Sequence, residues 1–251
     1  MTEHQRVAIE TVEVGSGGDR ALLADLYRPP VPNGCGLLLI HGGSFVQGDR
    51  TQLRGYGILL GRIGYTCLAC EYRLAPASKW PAQIDDVQTA LRYLHDHAAA
   101  LGIDPAKIAV SGNSAGGQLS LMAAARRDSP VAAAIAFYPP TDFLGPGTRA
   151  LGPRGMSYLV GDDTSDAKLR SISPVNFVSA EFPPTMLITG NRDDIVEWRD
   201  SLSMYLGLID AGARAELHVF DDQPHAFDAV PDFGRQCATL MQLFLDRNVL
   251  E

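Results

Sequence analysis

The chain has 251 residues, of which 46% are hydrophobic and 20% are charged, and it contains 25 Gly and 16 Pro. This composition is too apolar for a disordered chain, and the length suits one α/β domain spanning residues 1–251. The 21 basic and 29 acidic side chains give a formal net charge of −8. We expect no nucleic-acid partner, because this charge would repel a phosphate backbone.

The amino terminus shows no targeting signal. Residues 1–6 are polar and lead directly into an alternating stretch, without the basic and apolar regions of a signal peptide. No window approaches the roughly 18–20 apolar residues that a membrane-spanning helix requires. We therefore expect a cytoplasmic protein with no membrane span. The sequence leaves the oligomeric state open, with a homodimer as one alternative.

The hydrophobic pattern begins with an antiparallel hairpin and continues as alternating strands and helices. The predicted strands are Val7–Val14, Ala21–Tyr27, Leu37–Ile40, Thr66–Tyr72, Lys107–Val110, Val131–Tyr138, Thr185–Thr189 and Glu216–Phe220. The predicted helices are Ile84–Ala100, one that ends at Ala125, Trp198–Ala211 and Arg235–Phe244. This order predicts a mostly parallel sheet of about eight strands, with helices on both faces.

One segment, residues 141–184, interrupts this alternation. It is rich in Gly, Pro and Asp, and it lies between two predicted strands where a single crossover helix would suffice. We interpret it as an insertion that folds over the strand ends.

The four cysteines, Cys35, Cys67, Cys70 and Cys237, raise the question of a redox or zinc site. Cys67 and Cys70 lie in one predicted strand, where residues three apart point to opposite faces. A thioredoxin-type pair belongs at a helix N-terminus, and no second Cys or His pair stands nearby to complete a metal site. We expect buried structural thiols, with no metal or organic cofactor.

The strongest chemical signal is a G-x-S-x-G pattern at residues 112–116. An apolar strand runs directly into it and an Ala- and Leu-rich helix follows, which is typical of the sharp turn that exposes a nucleophilic serine. Glycines flank the serine because side chains there would clash with neighbouring backbone. A phosphate-binding loop is the alternative, but no Lys follows the glycines. We predict that Ser114 is the nucleophile.

A second glycine-rich turn, residues 41–45, follows the predicted buried strand that ends at Ile40. Its small residues allow backbone N–H groups to turn toward a ligand. Two such donors, together with the N–H of Ala115, would form an oxyanion hole. An ordinary glycine turn is the alternative. We expect His41 to brace the backbone of this turn.

A serine nucleophile needs a general base and an acid that orients it. Of the six histidines, His225 lies in the loop between the last predicted strand and the last helix. The acid should follow the preceding strand, where Asp193 and Asp194 compete for the role. We prefer Asp193, because Asp194 or Glu197 would suit a helix N-terminus.

These motifs and their order resemble the α/β-hydrolase superfamily and, within it, the hormone-sensitive-lipase-like and acetyl-esterase group. The order Ser114, Asp193, His225 is that of α/β-hydrolases. The resemblance implies an α/β-hydrolase fold, a triad of these three residues, and an oxyanion hole at Gly42, Gly43 and Ala115. The matching segments are HGGSF at 41–45, EYRLAP at 71–76, PAxxxD at 81–86, GNSAGG at 112–117, YPPTD at 138–142, SP at 173–174, GxxD at 190–193 and HAF at 225–227.

Some features depart from the pattern of this group. Asn113 precedes the serine where the group often has Asp, and Ser44 stands where it often has a third Gly. Larger members carry an N-terminal helical cap, whereas the first predicted strand here begins near Val7. We expect an open site, roofed mainly by residues 141–184. Arg73 and Asp86 match positions that are structural in the group.

The resemblance implies a serine carboxylesterase that hydrolyses small-molecule esters through an acyl-enzyme. Phe45, Ile195 and Phe227 are the predicted lining of a short acyl pocket, which favours acetyl to hexanoyl esters. Related enzymes on this scaffold cleave formamides, sugar acetates, feruloyl esters or peptide bonds, and fold analogy does not choose among them. An arylformamidase, a carbohydrate acetyl or feruloyl esterase, a peptidase and a non-catalytic ligand-binding receptor are the alternatives.

Overall fold

The computed structural model describes residues 6–126, 131–145 and 152–251. Residues 1–5, 127–130 and 146–151, the last of these in the predicted insertion, lie outside the described residues.

Within the described ranges, eight strands form one sheet in the order β1-β2-β4-β3-β5-β6-β7-β8. β1 pairs antiparallel with β2 and β2 with β4, and all other neighbours pair in parallel. The predicted hairpin and mostly parallel sheet are thus confirmed. The strands are β1 (Ala8–Gly17), β2 (Arg20–Arg28), β3 (Gly34–Ile40), β4 (Thr66–Cys70), β5 (Ile103–Asn113), β6 (Ala133–Phe137), β7 (Thr185–Gly190) and β8 (Ala215–Phe220).

Helices cover both faces of the sheet. They are α1 (Arg54–Gly61), α2 (Ala82–Asp96), α3 (Ala98–Leu101), α4 (Ala115–Ala124), α5 (Gly152–Val160), α6 (Asp166–Ser171), α7 (Trp198–Asp210) and α8 (Pro231–Leu245). Apolar side chains of α2, α4, α5 and α7 form one core with Leu38 and Val110, whereas those of α1 and α8 form a second core with Leu37 and Leu39. Neighbouring residues of one strand thus serve opposite cores, as the alternation of a strand requires.

Outside residues 141–184, two helices differ from the sequence-based prediction. The predicted helix Ile84–Ala100 is interrupted at His97, so that α2 and α3 are separate. No helix was predicted at α1, whose eight residues include three glycines, and glycine disfavours helices. Gly57 is required there by packing, because an added Cβ would lie 2.7 Å from the ring of Tyr27.

The described part of the predicted insertion contains α5 and α6. The backbone N–H of Trp80 donates to the carbonyl of Leu159 at 2.8 Å, and the Gln118 side chain donates to the carbonyl of Ile172 at 2.7 Å. The segment is thus tied to the chain before α2 and to α4. Nowhere in residues 6–126, 131–145 and 152–251 is a helix both long enough and apolar enough to span a membrane.

A buried ion pair ties α2 to the chain that follows β4. Asp86, 1% exposed, accepts hydrogen bonds from the backbone N–H of Arg73 at 2.8 Å and from its guanidinium Nε and Nη2 at 2.9 and 2.8 Å. Removing Asp86 leaves the Arg73 guanidinium, whose side chain is 23% exposed, without its carboxylate partner.

The first turn of α7 also buries a carboxyl group. Asp200 is 6% exposed, and its Oδ2 has no hydrogen-bond partner among the described residues. Burial raises the pKa of Asp200 to about 7, and the negative charges of Asp142, Glu197 and Asp193 contribute to the shift. At a pH between the ordinary pKa of 3.8 and this raised value, Asp200 is protonated in the folded chain and ionised in the unfolded chain.

We expect Asp86→Ala to lower the free energy of unfolding by about 3–5 kcal/mol in urea titrations, because the Arg73 guanidinium loses its partner. Asp85→Ala is the matched control on the same helix, since Asp85 is exposed and meets Arg126 only at 3.9 Å. This control should cost less than about 1 kcal/mol. Equal losses in the two variants would contradict the structural role of Asp86.

We expect Asp200→Asn to become more stable than the wild type as the pH rises. Because the pKa of Asp200 is raised in the folded state, ionisation of this group favours the unfolded chain. The free energy of unfolding of the wild type should therefore fall by about 2 kcal/mol between pH 5 and 8. The amide cannot ionise and escapes this loss. Urea titrations of both proteins at pH 5 and pH 8 measure the difference, and a constant difference at the two pH values would refute the prediction.

Candidate active site

Ser114 lies in the sharp turn between β5 and α4. Its backbone has φ 54° and ψ −117°, a region that non-glycine residues rarely adopt. The N–H of Ser114 donates to the carbonyl of Phe137 at 2.8 Å, which anchors the turn to the end of β6. The turn therefore holds the serine at the carboxyl edge of the sheet, at the N-terminus of α4.

The glycines around Ser114 allow backbone segments to approach closely, as predicted. A Cβ at Gly112 would overlap the carbonyl oxygen of Gly116, and a Cβ at Gly116 would overlap that of Ile40. A Cβ at Gly42 would lie 2.8 Å from the carbonyl oxygen of Asn113. Any larger residue at these positions would have to displace backbone.

Ser114, His225 and Asp193 come together from three separate segments. The Nε2 of His225 lies 3.0 Å from the Oγ of Ser114, and its Nδ1 lies 2.6 Å from the Oδ2 of Asp193. In the neutral tautomer that suits both contacts, Nδ1–H donates to Asp193 and Nε2 accepts from the Ser114 hydroxyl. The Asp193 side chain is fully buried, whereas that of His225 is 13% exposed.

The backbone after β7 distinguishes the two candidate acids. The second carboxylate oxygen of Asp193 accepts hydrogen bonds from the N–H groups of Ile195 and Val196, at 2.9 and 2.8 Å. These two bonds orient the carboxylate so that its other oxygen meets His225. Asp194 is exposed, and in the described part of the chain it has no contact with His225.

The glycine turn after β3 brings backbone N–H groups to the same edge. Gly43 has φ +116°, and its carbonyl accepts from the N–H groups of Val46 and Gln47. Among the described residues, the N–H groups of Gly42, Gly43 and Ala115 donate no hydrogen bond. They are therefore available to a ligand.

His41 braces this turn, as predicted. Its ring stacks on Tyr72 at a centroid distance of 4.2 Å, and its Nδ1 lies 2.7 Å from the carbonyl oxygen of Gly42. The Tyr72 hydroxyl donates to the carbonyl of His41 at 3.0 Å. Burial lowers the pKa of His41, which favours the neutral ring.

The three side chains predicted to line the acyl pocket differ in exposure. Phe45 is only 1% exposed and packs near Phe143, with ring centroids 6.4 Å apart. Phe227 is 2% exposed and lies in an aromatic cluster, 4.7 Å from the ring of Phe220. Both rings pack in the core, whereas Ile195 is 46% exposed.

All four cysteines are free and buried, as predicted. Burial raises the pKa of Cys70 to about 12 and that of Cys67 further, which keeps both as unreactive thiols. Across residues 6–126, 131–145 and 152–251, no group of three or more His, Cys, Asp and Glu side chains is arranged to hold a metal ion.

One side chain near this site was not predicted. Asp228, three residues after His225, contacts both Asn113 and Tyr138. Nothing in the local sequence distinguishes it from other loop aspartates, because its partners lie 115 and 90 residues away.

Comparison with known proteins agrees with the fold and the motifs. A family model described as BD-FAE matches residues 24–208 of this chain. Esterase LipC of Mycobacterium tuberculosis is 32% identical over 237 residues, covering 84% of this chain and 58% of LipC. Carboxylesterase NlhH of the same organism is 31% identical over 235 residues, covering 83% of this chain and 72% of NlhH. The chain thus spans little more than half the length of LipC.

A solved structure shows the same architecture. The structure entitled bacterial heroin esterase superposes with a TM-score of 0.83 at 28% identity, and the match covers 97% of this chain and 84% of that one. The predicted α/β-hydrolase fold is therefore confirmed. On the family match and the relatives together, the chain belongs to the BD-FAE family, within the carboxylesterase group of the α/β-hydrolase superfamily.

Proposed function

We propose that this protein is a serine carboxylesterase acting on short-chain carboxylic esters, with Ser114, His225 and Asp193 as its triad. The observation that carries the proposal is the relay of contacts, 3.0 Å from Ser114 Oγ to His225 Nε2 and 2.6 Å from His225 Nδ1 to Asp193 Oδ2. Nucleophile, base and orienting acid lie within hydrogen-bonding reach, which this chemistry requires. The esterase names of LipC and NlhH support the same reaction class.

The first half of the reaction acylates the serine. Ser114 Oγ attacks the ester carbonyl while His225 Nε2 takes its proton, and Asp193 stabilises the imidazolium that results. The N–H groups of Gly42, Gly43 and Ala115 stabilise the negative oxygen of the tetrahedral intermediate. The C–O bond to the alcohol then breaks, and His225 delivers the proton to the leaving alcohol oxygen.

The second half regenerates the enzyme. His225 takes a proton from water, whose oxygen attacks the acyl carbonyl, and the same N–H groups stabilise the second tetrahedral intermediate. Collapse releases the carboxylic acid, and the proton returns from His225 to Ser114. Neither half consumes an oxidant or a reductant.

The preference for short acyl groups is supported by the burial of two of the three side chains predicted to line the acyl pocket. Burial of Phe45 and Phe227 leaves Ile195 as the exposed member of the predicted lining. A long acyl chain gains affinity by burying its methylenes, and one exposed side chain can cover few of them.

We also propose a cytoplasmic location and small-molecule esters as substrates.

Ser114→Ala tests the nucleophile. We expect it to lower kcat for p-nitrophenyl acetate by more than about 10³-fold while leaving the circular dichroism spectrum unchanged, because no other group can form the acyl-enzyme. In the wild type, kcat/KM should be higher for the acetate and butyrate esters than for the octanoate. Equal turnover by the folded variant would refute the triad, and a preference for decanoyl or longer esters would refute the short pocket.

Asp193→Asn and Asp194→Asn form a matched pair of adjacent, isosteric changes. We expect Asp193→Asn to lower kcat by about 10³–10⁴-fold, because the amide cannot stabilise the imidazolium or fix its tautomer. Asp194→Asn should stay within about threefold of the wild type, since its side chain is exposed. Steady-state kinetics on p-nitrophenyl butyrate measure both, and the reverse ranking would assign the acid to Asp194.

A further inference from the structure

A buried carboxylate next to the triad joins three elements of the fold. Asp228 is 8% exposed, and its Oδ2 accepts hydrogen bonds from the Tyr56 hydroxyl at 2.9 Å and from the Asn113 amide at 2.8 Å. Its Oδ1 accepts from the Tyr138 hydroxyl at 2.5 Å. These donors come from α1, from the end of β5 and from the residue after β6. One side chain thus links three segments that are distant in sequence.

Two of these donors adjoin the reacting groups directly. Asn113 is the neighbour of Ser114 in the chain, and the ring of Tyr138 packs 4.5 Å from the ring of His225. The Asn113 amide also donates to the Tyr138 hydroxyl at 2.8 Å, which closes a triangle of hydrogen bonds with Asp228. Asp228 itself follows His225 by three residues. The triangle therefore connects the segment that carries the base with the turn that carries the nucleophile.

The two tyrosines that donate to Asp228 stay protonated. Burial, followed by the charge of Asp228, raises the pKa of both Tyr56 and Tyr138 well above the ordinary value of 10.0. Both hydroxyls therefore remain donors across the working pH range. None of the ion pairs among the described residues includes Asp228. Its carboxylate is therefore satisfied by the neutral donors Tyr56, Asn113 and Tyr138.

We propose that Asp228 is a positioning residue, which holds His225 in register with Ser114 through Asn113 and Tyr138. The proposal rests on the proposed esterase function of Ser114 and His225. It also accounts for Asn113, which stands where the hormone-sensitive-lipase-like group often has Asp. Here the carboxylate is supplied by the segment after the histidine, and the residue before the serine is the amide that donates to it.

An exchange of the two side chains separates positioning from mere stabilisation. Asp228→Asn places an amide against the Asn113 amide, and Asn113→Asp places two carboxylates in contact. The double variant N113D/D228N restores one carboxylate and one amide, with the direction of the hydrogen bond reversed. With its amide nitrogen in the place of Oδ2, the amide now at position 228 can donate to the carboxylate at position 113 and to the Tyr56 hydroxyl oxygen, while its amide oxygen, in the place of Oδ1, accepts from Tyr138. A double-mutant cycle reports whether the two sites act through each other.

We expect each single variant to lower kcat for p-nitrophenyl butyrate by about 10–100-fold while KM changes by less than about threefold, because misplacement of a reacting group lowers turnover rather than substrate binding. The double variant should return to within about fivefold of the wild-type kcat. Asp25→Asn is the matched control: Asp25 is buried on β2, which is separated from β5 by β4 and β3. It should lower the melting temperature and leave kcat unchanged.

Two results would overturn the proposal. One is a kcat for Asp228→Asn within about twofold of the wild type, and the other is a double variant that is no more active than the weaker single variant. If Asp228→Asn does not fold, Tyr138→Phe decides the question. It keeps the ring against His225 and removes the hydroxyl, and an unchanged kcat would refute the proposal. Retention of activity by Ser114→Ala, by contrast, would refute the esterase triad itself.

Discussion

The close approach of two backbone segments around Ser114 determines how this site is built. The carbonyl of Ile40, at the end of β3, lies against Gly116 in the first turn of α4, and the carbonyl of Asn113 lies against Gly42. No side chain fits between them, so the glycine turn after β3 and the turn at Ser114 form one rigid unit. The available N–H groups of Gly42, Gly43 and Ala115 thereby share a frame with the serine, which is the preorganisation that stabilising a developing oxyanion requires.

The other half of the site comes from strands that lie on the opposite side of β5 from β3. β7 and β8 end at the same edge as β5, so the segments that carry Asp193 and His225 begin beside the serine turn. Asp193 is oriented by two backbone N–H groups, and His225 is held between Asp193 and the ring of Tyr138. The buried cluster of Asp228, Asn113 and Tyr138 lies where these two halves meet. The parallel strands thus bring the three side chains to one edge of the sheet, and polar contacts between the loops align them.

The sequence could predict those features that local patterns encode. The glycines at 112 and 116 and the apolar strand before them specify the serine turn, because only glycine permits that backbone approach. α1 was not predicted, because its three glycines disfavour a helix, and the packing of Gly57 on Tyr27 is a tertiary contact. The choice between Asp193 and Asp194 depends on the backbone after β7, which turns the Asp193 carboxylate toward His225. Burial of Phe45 and Phe227 and the partners of Asp228 arise from tertiary contacts, which no short pattern contains.

The separation in sequence of the reacting groups has a consequence for folding. Ser114 and His225 are 111 residues apart, His225 and Asp193 are 32 apart, and Asn113 and Asp228 are 115 apart. Contacts of such long range form late, because the intervening chain must be ordered before they become favourable. Helices and the β1-β2 hairpin can form while these contacts are still missing. The proposed esterase activity would thus be the last property to return on refolding, and a sensitive reporter of the fully assembled sheet edge.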